Sequence, residues 1–486
     1  MTLRGAKSGG TERGGIDSRQ APLGDGRRPG GPRVIVVGAG IAGLTAAFRL
    51  QQAGCDVTVL ERSGPELVGG RMSTVEREGF AIDVGATLLL ASYRSMVRLI
   101  CDAGLEDQVC PAGDVCGLLR DGEIQRMRLS ARLQMPLRSY VRDLPTRDLV
   151  KVARDFLHAR RHFQWHDLSA TAPHDFESVR DYALRRGLHP SVYEYLLSPF
   201  VSDPALAEPE TSSIMSVFFF LNILISSGGT FTSPRGVGFL PQGLARYLHT
   251  VFDANVTSVE EHRQEARVSW TTAADGEHTE SADACVLAVP PSQVPALHTS
   301  LTERQLEYLR SMRYSRSIHI AFGAERRVAE ESLLLQIPRR EHPFICTYVM
   351  EHNQAPGRVP EGKSLVRAHF RGTWSDDNWE MADSAVVDQA LAATRRLGVL
   401  PELETHTTMA EVFRVSPCAV LRRPGEYREV ARFRATLRGD SRVQLAGGDL
   451  LAQSTTNSSL CSGEDAASRV LRLLRLSQHE ERAVSR

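Results

Sequence analysis

Lysine is nearly missing from this chain of 486 residues: among 58 cationic side chains only Lys7, Lys151 and Lys363 are lysine, and the rest are arginine. A mechanism that rests on a buried amine therefore has three places to look. Charge of either sign is not in excess, since 58 acidic residues balance the cations; neither nucleic acid nor an anionic membrane surface is expected as a partner. The eight cysteines are scattered with no C-x-x-C pair, and no Cys/His cluster stands at metal-ligand spacing. No metal, structural zinc or disulfide framework is expected, and a reducing, cytoplasmic location fits. No run reaches the ~18 to 20 apolar residues of a membrane span. The nearest, "IMSVFFFLNILI" at Ile214–Ile225, is expected to be a helix burying a face in a core or tunnel wall. A monotopic membrane contact is its alternative reading.

What is present is ordinary in bulk: 42% hydrophobic and 24% charged residues, the balance of a globular protein. The length exceeds one simple core, so two or three domains are expected. Residues 1–32 hold nine Gly and three Pro without an apolar run. They read as a disordered N-terminal tail rather than a secretory signal.

The first organised stretch is "VIVVGAGIAGLTAAFRL", residues 34–50. Four consecutive β-formers fit a parallel strand buried on both faces. Gly38-Ala39-Gly40-Ile41-Ala42-Gly43 then makes a G-x-G-x-x-G turn into a helix. In a dinucleotide fold the first glycine allows the tight turn, the second lets the backbone approach a pyrophosphate, and the third lets helix and strand pack closely. The helix N-terminus at Ile41 and Ala42 offers free N–H groups and a partial positive charge to phosphates. Alone, the motif also fits any tight strand-to-helix turn. The continuation "CDVTVLER" decides: a second strand, 57–60, ends at Glu61, eighteen residues after Gly43, with Arg62 next to it. A carboxylate there accepts hydrogen bonds from both ribose hydroxyls of an adenosine and repels a 2′-phosphate.

Then come "VGGRMST", residues 68–74, and "FAIDVGATLLL", residues 80–90. With these the layout resembles the flavin-dependent amine oxidase superfamily, in its branch of protoporphyrinogen oxidases and desaturases. The resemblance implies that Gly69, Gly70, Arg71 and Met72 pack against pyrophosphate and flavin. Physically, paired glycines admit close backbone approach, and Arg71 offers a fixed fork of donors to phosphate oxygens. The family's F-x-x-D-x-G-A matches Phe80, Asp83, Gly85 and Ala86 and implies Thr87 beside the isoalloxazine. Its adenine-clamping strand maps to Val256. Its closing motif maps to "RVQLAGGDLLAQSTTNSSLCSGEDAASRVLRLL", implying that Gly448 and Asp449 meet ribityl and phosphate oxygens and that Thr455 and Thr456 lie at the flavin. A helix from about Ser458 would aim its N-terminus at the flavin edge that becomes anionic on reduction. The matched motifs span residues 34–471 in family order. "SVRDYALRRG" and "YEYLLSPFVSDP" resemble, more loosely, the helical substrate domain of protoporphyrinogen-oxidase-like members. FAD, held non-covalently, is the implied cofactor. Members that tether it use a cysteine near the segment that here reads "RRPGEYRE"; none is present there, and Cys418 is only close by.

Two features depart from the amine oxidases. Their lysine, on a substrate-domain strand near the flavin, is replaced in "SIHIAF" by Ser317, and their aromatic cage positions are Thr455 and Thr456. Strand alternation puts His319 on the face of Ser317, as a proton acceptor or as a satisfied structural residue. His369, Arg371 and Trp374 in "RAHFRGTWSDDNW" are either pocket wall or surface loop. His319, Ser317 and Thr87 are the candidate catalytic residues.

The expected fold class is α/β: a discontinuous Rossmann-type FAD-binding domain (33–95, 235–300 and 405–475) plus an α+β substrate domain (96–234 and 301–404). The latter combines a mixed antiparallel sheet with helices, and 476–486 form a C-terminal tail. The expected enzyme is an FAD-dependent oxidase or desaturase that takes a hydride from a C–H bond of a largely apolar, ring-containing small molecule to flavin N5. Dioxygen or another electron acceptor reoxidises it; no second G-x-G-x-x-G serves NAD(P)H. Two other readings stand beside it, an amine or amino-acid oxidase lacking the family lysine and a redox-neutral flavin-dependent isomerase.

Overall fold

A computed structural model describes residues 30–128, 141–163 and 170–484, so the tail expected over 1–32 lies almost wholly outside the described residues. The strand Arg33–Val37 is buried beyond its first residue because it is paired in parallel on both edges, with Asp56–Leu60 on one side and Ala284–Leu287 on the other. His249–Val251 and Val443–Leu445 complete a five-stranded parallel sheet. Val36, Val59 and Val286 enter its core together with Leu44 and Ala47 of the helix Ile41–Gln52. That helix packs against the closing helix Thr456–Val484. The approach is close enough that a Cβ on Gly463 would run into the Ala42 carbonyl. The closing helix begins two residues before the expected Ser458 and continues past 475, where a tail was expected. Its sequence after Gly463 holds neither glycine nor proline to stop it.

A second, seven-stranded sheet is mixed. Its order is Thr407–Val415, Ser317–Ala324, Ser364–Phe370, Ile345–Met350, Leu334–Gln336, Val115–Arg120 and Glu123–Arg128, antiparallel except where Leu334–Gln336 runs parallel to Val115–Arg120. The boundary expected at 405 is corrected, because Thr407–Val415 pairs along the whole of Ser317–Ala324. It is a half-buried edge strand, and such strands lack the apolar alternation by which sequence reveals them. In Ser317–Ala324 the period of two is plain: Ile318, Ile320 and Phe322 pack toward Val386 and Ala390 of the helix Asp383–Leu397. Ser317 and His319 therefore face the other way.

The apolar run forms a helix, Ile214–Ile225. Ser213 caps it, accepting from Met215 N at 3.1 Å and donating to Asp175 Oδ1 at 2.6 Å. Val217, Phe218 and Leu221 are core residues, while Phe220, Ile223 and Leu224 line a cavity, which is the tunnel-wall reading. Among the described residues no helix is long and apolar enough to cross a membrane. All eight cysteines are free thiols. The expectation of no metal-spaced cluster is corrected. His158 and His162, one helical turn apart, meet His174 from a separate turn, with ligand atoms within 4.8 Å of one another. Only folding brings the third histidine to the pair.

Candidate active site

One cavity of about 980 Å³ lies between the two sheets' facing residues. Its wall includes Gly38, Gly40, Ile41 and Ala42 of the glycine turn, Glu61 and Arg62 after the second strand, Gly69 to Met72, and Val256. Asp449, Thr455, Thr456, Thr87, Ser317 and His319 line the same space. Gly43 and Gly448 stand behind the wall. A Cβ on Gly43 would collide with the Gly38 carbonyl oxygen, and one on Gly448 would come within 2.6 Å of Ser459 Oγ, so both serve packing. Gly40 is different: a Cβ there would meet no protein atom within 4 Å. The space above it is an open cradle bordered by the backbone N–H groups of a helix start.

Glu61 braces this turn. Its Oε2 accepts from Ala39 N at 2.7 Å and its Oε1 from Ser63 N at 2.9 Å. A carboxylate has about four lone-pair sites, so two backbone bonds leave room for ribose hydroxyls. Arg71 does not present its whole fork to phosphate. It pairs with the buried Asp449, NH2 to Oδ2 at 2.9 Å and NH1 to Oδ1 at 3.3 Å, and NH1 also donates to the Cys418 carbonyl at 2.8 Å. Asp449 also accepts from Ser454 Oγ at 2.6 Å. Burial opposes its ionisation, but the Arg71 charge and these donors win and hold its carboxyl below the usual range. Cys418 lines the cavity with its thiol pushed up by burial to about 11, so it is a neutral, poorly nucleophilic group. Thr455 caps the closing helix, its Oγ1 accepting from Ser458 N at 3.0 Å. The free N–H groups of that first turn start at the cavity wall.

Farther from the glycine turn the wall rests on groups that sequence reasoning missed. Thr87 Oγ1 accepts from Arg367 NH2 at 2.7 Å, and Arg367 Nε donates to Glu351 Oε1 at 2.7 Å. Glu351 pairs in turn with Arg358 at 2.8 Å, and Arg358 with Asp83. All four charged side chains are buried and alternate in sign, so the network is neutral as a whole. Asp83 of the family motif is thus a brace: it also accepts from Thr74 Oγ1 at 2.6 Å and Val237 N at 2.9 Å.

His319 and His369 are cross-strand partners whose rings stack at 4.8 Å, and Phe413 covers the other face of His319 at 5.1 Å. Ser317 Oγ lies 3.4 Å from His319 Nδ1. Burial, reinforced by Arg367, holds the His319 pKa well below the ordinary value; for His369 burial acts first, then His319, then Arg367. Both imidazoles are neutral at physiological pH. Asp203, also in the wall, accepts from Thr347 Oγ1 and from Gln336 Nε2 at 3.2 Å, and burial raises its pKa despite those donors. Arg371 and Trp374 are corrected out of this site. The helix Gly372–Asp377 turns them to the far face, where Arg371 donates to the Ile337 carbonyl at 2.7 Å and Trp374 stacks on Phe370 at 3.9 Å.

A carboxylate with spare acceptor positions, an open glycine cradle and a capped helix start on one continuous cavity fit a dinucleotide cofactor. FAD would be held by Glu61, the turn at Gly38 to Ala42, Gly69 to Arg71 and the first turn of the closing helix. Similarity agrees. The sequence model of the family of flavin containing amine oxidoreductases matches residues 41–471. Coproporphyrinogen III oxidase of Bacillus subtilis strain 168 is 22% identical over 415 residues, 76% of this chain and 83% of that one. Protoporphyrinogen oxidase 2, chloroplastic/mitochondrial, of Arabidopsis thaliana is 31% identical over 198 residues, 39% of this chain; the match spans only about a third, 35%, of that relative. The solved structure of wild-type putrescine oxidase bound to putrescine superposes with a TM-score of 0.74 over 91% of this chain and 99% of that one at 16% identity, a likeness of fold. The chain therefore belongs to the flavin-containing amine oxidoreductase family and is an FAD-dependent oxidoreductase.

Proposed function

We propose that this enzyme is an oxidase or desaturase acting on a C–H bond of a largely apolar, ring-containing small molecule, with dioxygen as the electron acceptor and hydrogen peroxide as the by-product. Bound FAD supplies the hydride acceptor. The observation that carries the reading is the wall around Ser317. Among the described residues no lysine lines the cavity, and Lys151 is engaged elsewhere by Asp148 at 2.7 Å. The lining of the same cavity includes the apolar side chains Leu88, Met127, Phe200, Phe220 and Leu224. Such a wall orders a hydrophobic ring and excludes water, which raises the weight of each fixed polar group. Thr87, anchored by Arg367, orients without titrating. The neutral His319–His369 stack offers a polarisable shelf that carries no charge against a substrate. Asp203 is the anchor for a polar substituent, or the holder of a proton that the substrate releases.

The test is a photoreduction of the purified flavoprotein under argon, admission of air, and a peroxide assay. A substrate panel follows, with porphyrinogens, other apolar ring compounds and simple primary amines compared side by side. Flavin bands that return within seconds with peroxide formed, and turnover of ring compounds ahead of amines, are the expected results. Reduced flavin persisting in air removes dioxygen as acceptor; amines turning over fastest removes the substrate class.

A further inference from the structure

Three imidazoles meet on the outer surface of the helical layer, away from the cofactor cavity. His158 lies in the last turn of the helix Thr146–Arg160. Arg161 keeps helical dihedrals and His162 N donates to the Ala159 carbonyl at 2.9 Å, so His162 follows one turn later on the same face. His174 ends the short turn Ala172–His174, and the residue before that turn, Thr171, donates through Oγ1 to the His162 carbonyl at 3.0 Å. The ring centroids stand 5.6 Å (His158–His162), 5.3 Å (His158–His174) and 4.5 Å (His162–His174) apart. Each ring offers a ligand nitrogen within 4.8 Å of the others. Among the described residues none of the three rings makes a hydrogen bond or an ion pair with a carboxylate. Neutral imidazole nitrogens are metal ligands.

We propose that His158, His162 and His174 form a binding site for one divalent transition-metal ion of the zinc class. An all-nitrogen, borderline donor set selects zinc and its neighbours over calcium or magnesium, which demand oxygen ligands. Zinc–nitrogen bonds of about 2.0–2.1 Å require the three nitrogens to close in by at most about 1.5 Å, within reach of side-chain rotation. Water takes the fourth position, since His158 is exposed. The ion fastens the end of one helix to a turn more than ten residues farther along the chain. It does so behind the cavity: Phe156 packs on Phe218 at 6.1 Å and Phe163 on Phe219 at 6.0 Å. Asp175, next to His174, accepts from the cap of the helix that carries those two phenylalanines. Occupancy thus stiffens the support of the cavity-lining helix.

The experiment uses flavin-loaded protein freed of any affinity tag and stripped of metal by chelator dialysis. Zn2+ is titrated calorimetrically into the native sequence, His158→Ala and His174→Ala, and the thermal midpoint is followed with and without Zn2+. One ion per chain is expected, with each variant binding more weakly by more than the ~10- to 100-fold typical of losing an outer-shell partner. A Zn2+-dependent rise in midpoint is expected in the native protein alone. His158 is exposed, so its variant keeps the test open should His174→Ala fold poorly. A stoichiometry other than one, or equal affinity in native protein and either folded variant, overturns the site.

Discussion

Glu61 braces the glycine turn, and under the proposed assignment the same carboxylate would hold the cofactor's ribose. Two of its acceptor positions are spent on Ala39 N and Ser63 N, and the residue lines the cavity. Replacing Glu61 by Ala removes charge-assisted bonds worth about 1.5–3 kcal/mol, so FAD affinity is expected to fall by about 10- to 150-fold. Fluorescence titration of FAD into deflavinated protein measures it, with Glu61→Gln, which keeps one acceptor oxygen, falling in between. An Ala variant that retains FAD as tightly as the native protein would falsify the adenosine assignment. Glu61 was legible because strand, turn, helix, strand and acid keep a fixed spacing along the chain. Ser317 and His319 were legible as a shared face because a strand has period two. Arg367, Glu351 and Asp203 were not. Arg367 reaches Thr87 across 280 residues and Asp203 reaches Thr347 across 144, and Glu351 is explained only through Arg367; one buried arginine in an arginine-rich chain reads like any surface arginine. The Arg71–Asp449 pair was missed for the same reason: each residue was assigned to the cofactor separately, and only the fold shows that they hold each other.

At the scale of the element, the strand–turn–helix at residues 33–52 separates two roles that one motif merges. Gly43 exists for helix–strand contact, because a Cβ there meets the Gly38 carbonyl and, at 3.1 Å, Ala288 Cβ. Gly40 has nothing within 4 Å and ordinary extended dihedrals, φ −70° and ψ 166°, so alanine fits the empty protein. Gly43→Ala is therefore expected to destabilise the fold itself by about 1–3 kcal/mol through overpacking. Gly40→Ala should leave the apoprotein's thermal midpoint unchanged and weaken FAD binding instead. Paired melting curves and FAD titrations decide, and a Gly40→Ala variant binding FAD normally means that the cofactor does not lie over the turn. The turn was readable because its geometry is set by three glycines in six residues. Two other elements were misread at their edges. Thr407–Val415 belongs to the seven-stranded sheet because Ser317–Ala324 pairs with it, a non-local fact. The closing helix outran its expected end because its sequence past 475 holds good helix formers and neither glycine nor proline.

For the molecule as a whole, five histidines share one property that links the site to stability. Burial, the largest cause for each, lowers the pKa values of His174, His319, His342, His352 and His369, with His342 and His352 brought to about 4. In the unfolded chain each titrates near 6.5. Below that pH the unfolded state binds protons that the folded state refuses, so the stabilisation is complete above about pH 6.5 and is lost as pH falls toward the folded value. Each such histidine contributes a slope approaching about 1.4 kcal/mol per pH unit within its window. Asp175 and Asp203 act with the opposite sign, since burial raises their pKa values. Their carboxyls take up protons in the folded state first, so their contribution grows as pH falls through the folded value and offsets part of the histidine loss. The thermal midpoint of the flavin-loaded protein, at fixed ionic strength and a fixed excess of FAD, is therefore expected to fall from pH 6.5 to 5.0 and to be nearly level from 6.5 to 7.5. His342→Gln should make the fall shallower, because that ring sits outside the cavity wall and removes one proton-refusing group without touching the cofactor's surroundings. A midpoint level down to pH 5.0 means that these rings are protonated in the fold, and the neutral His319–His369 shelf goes with them.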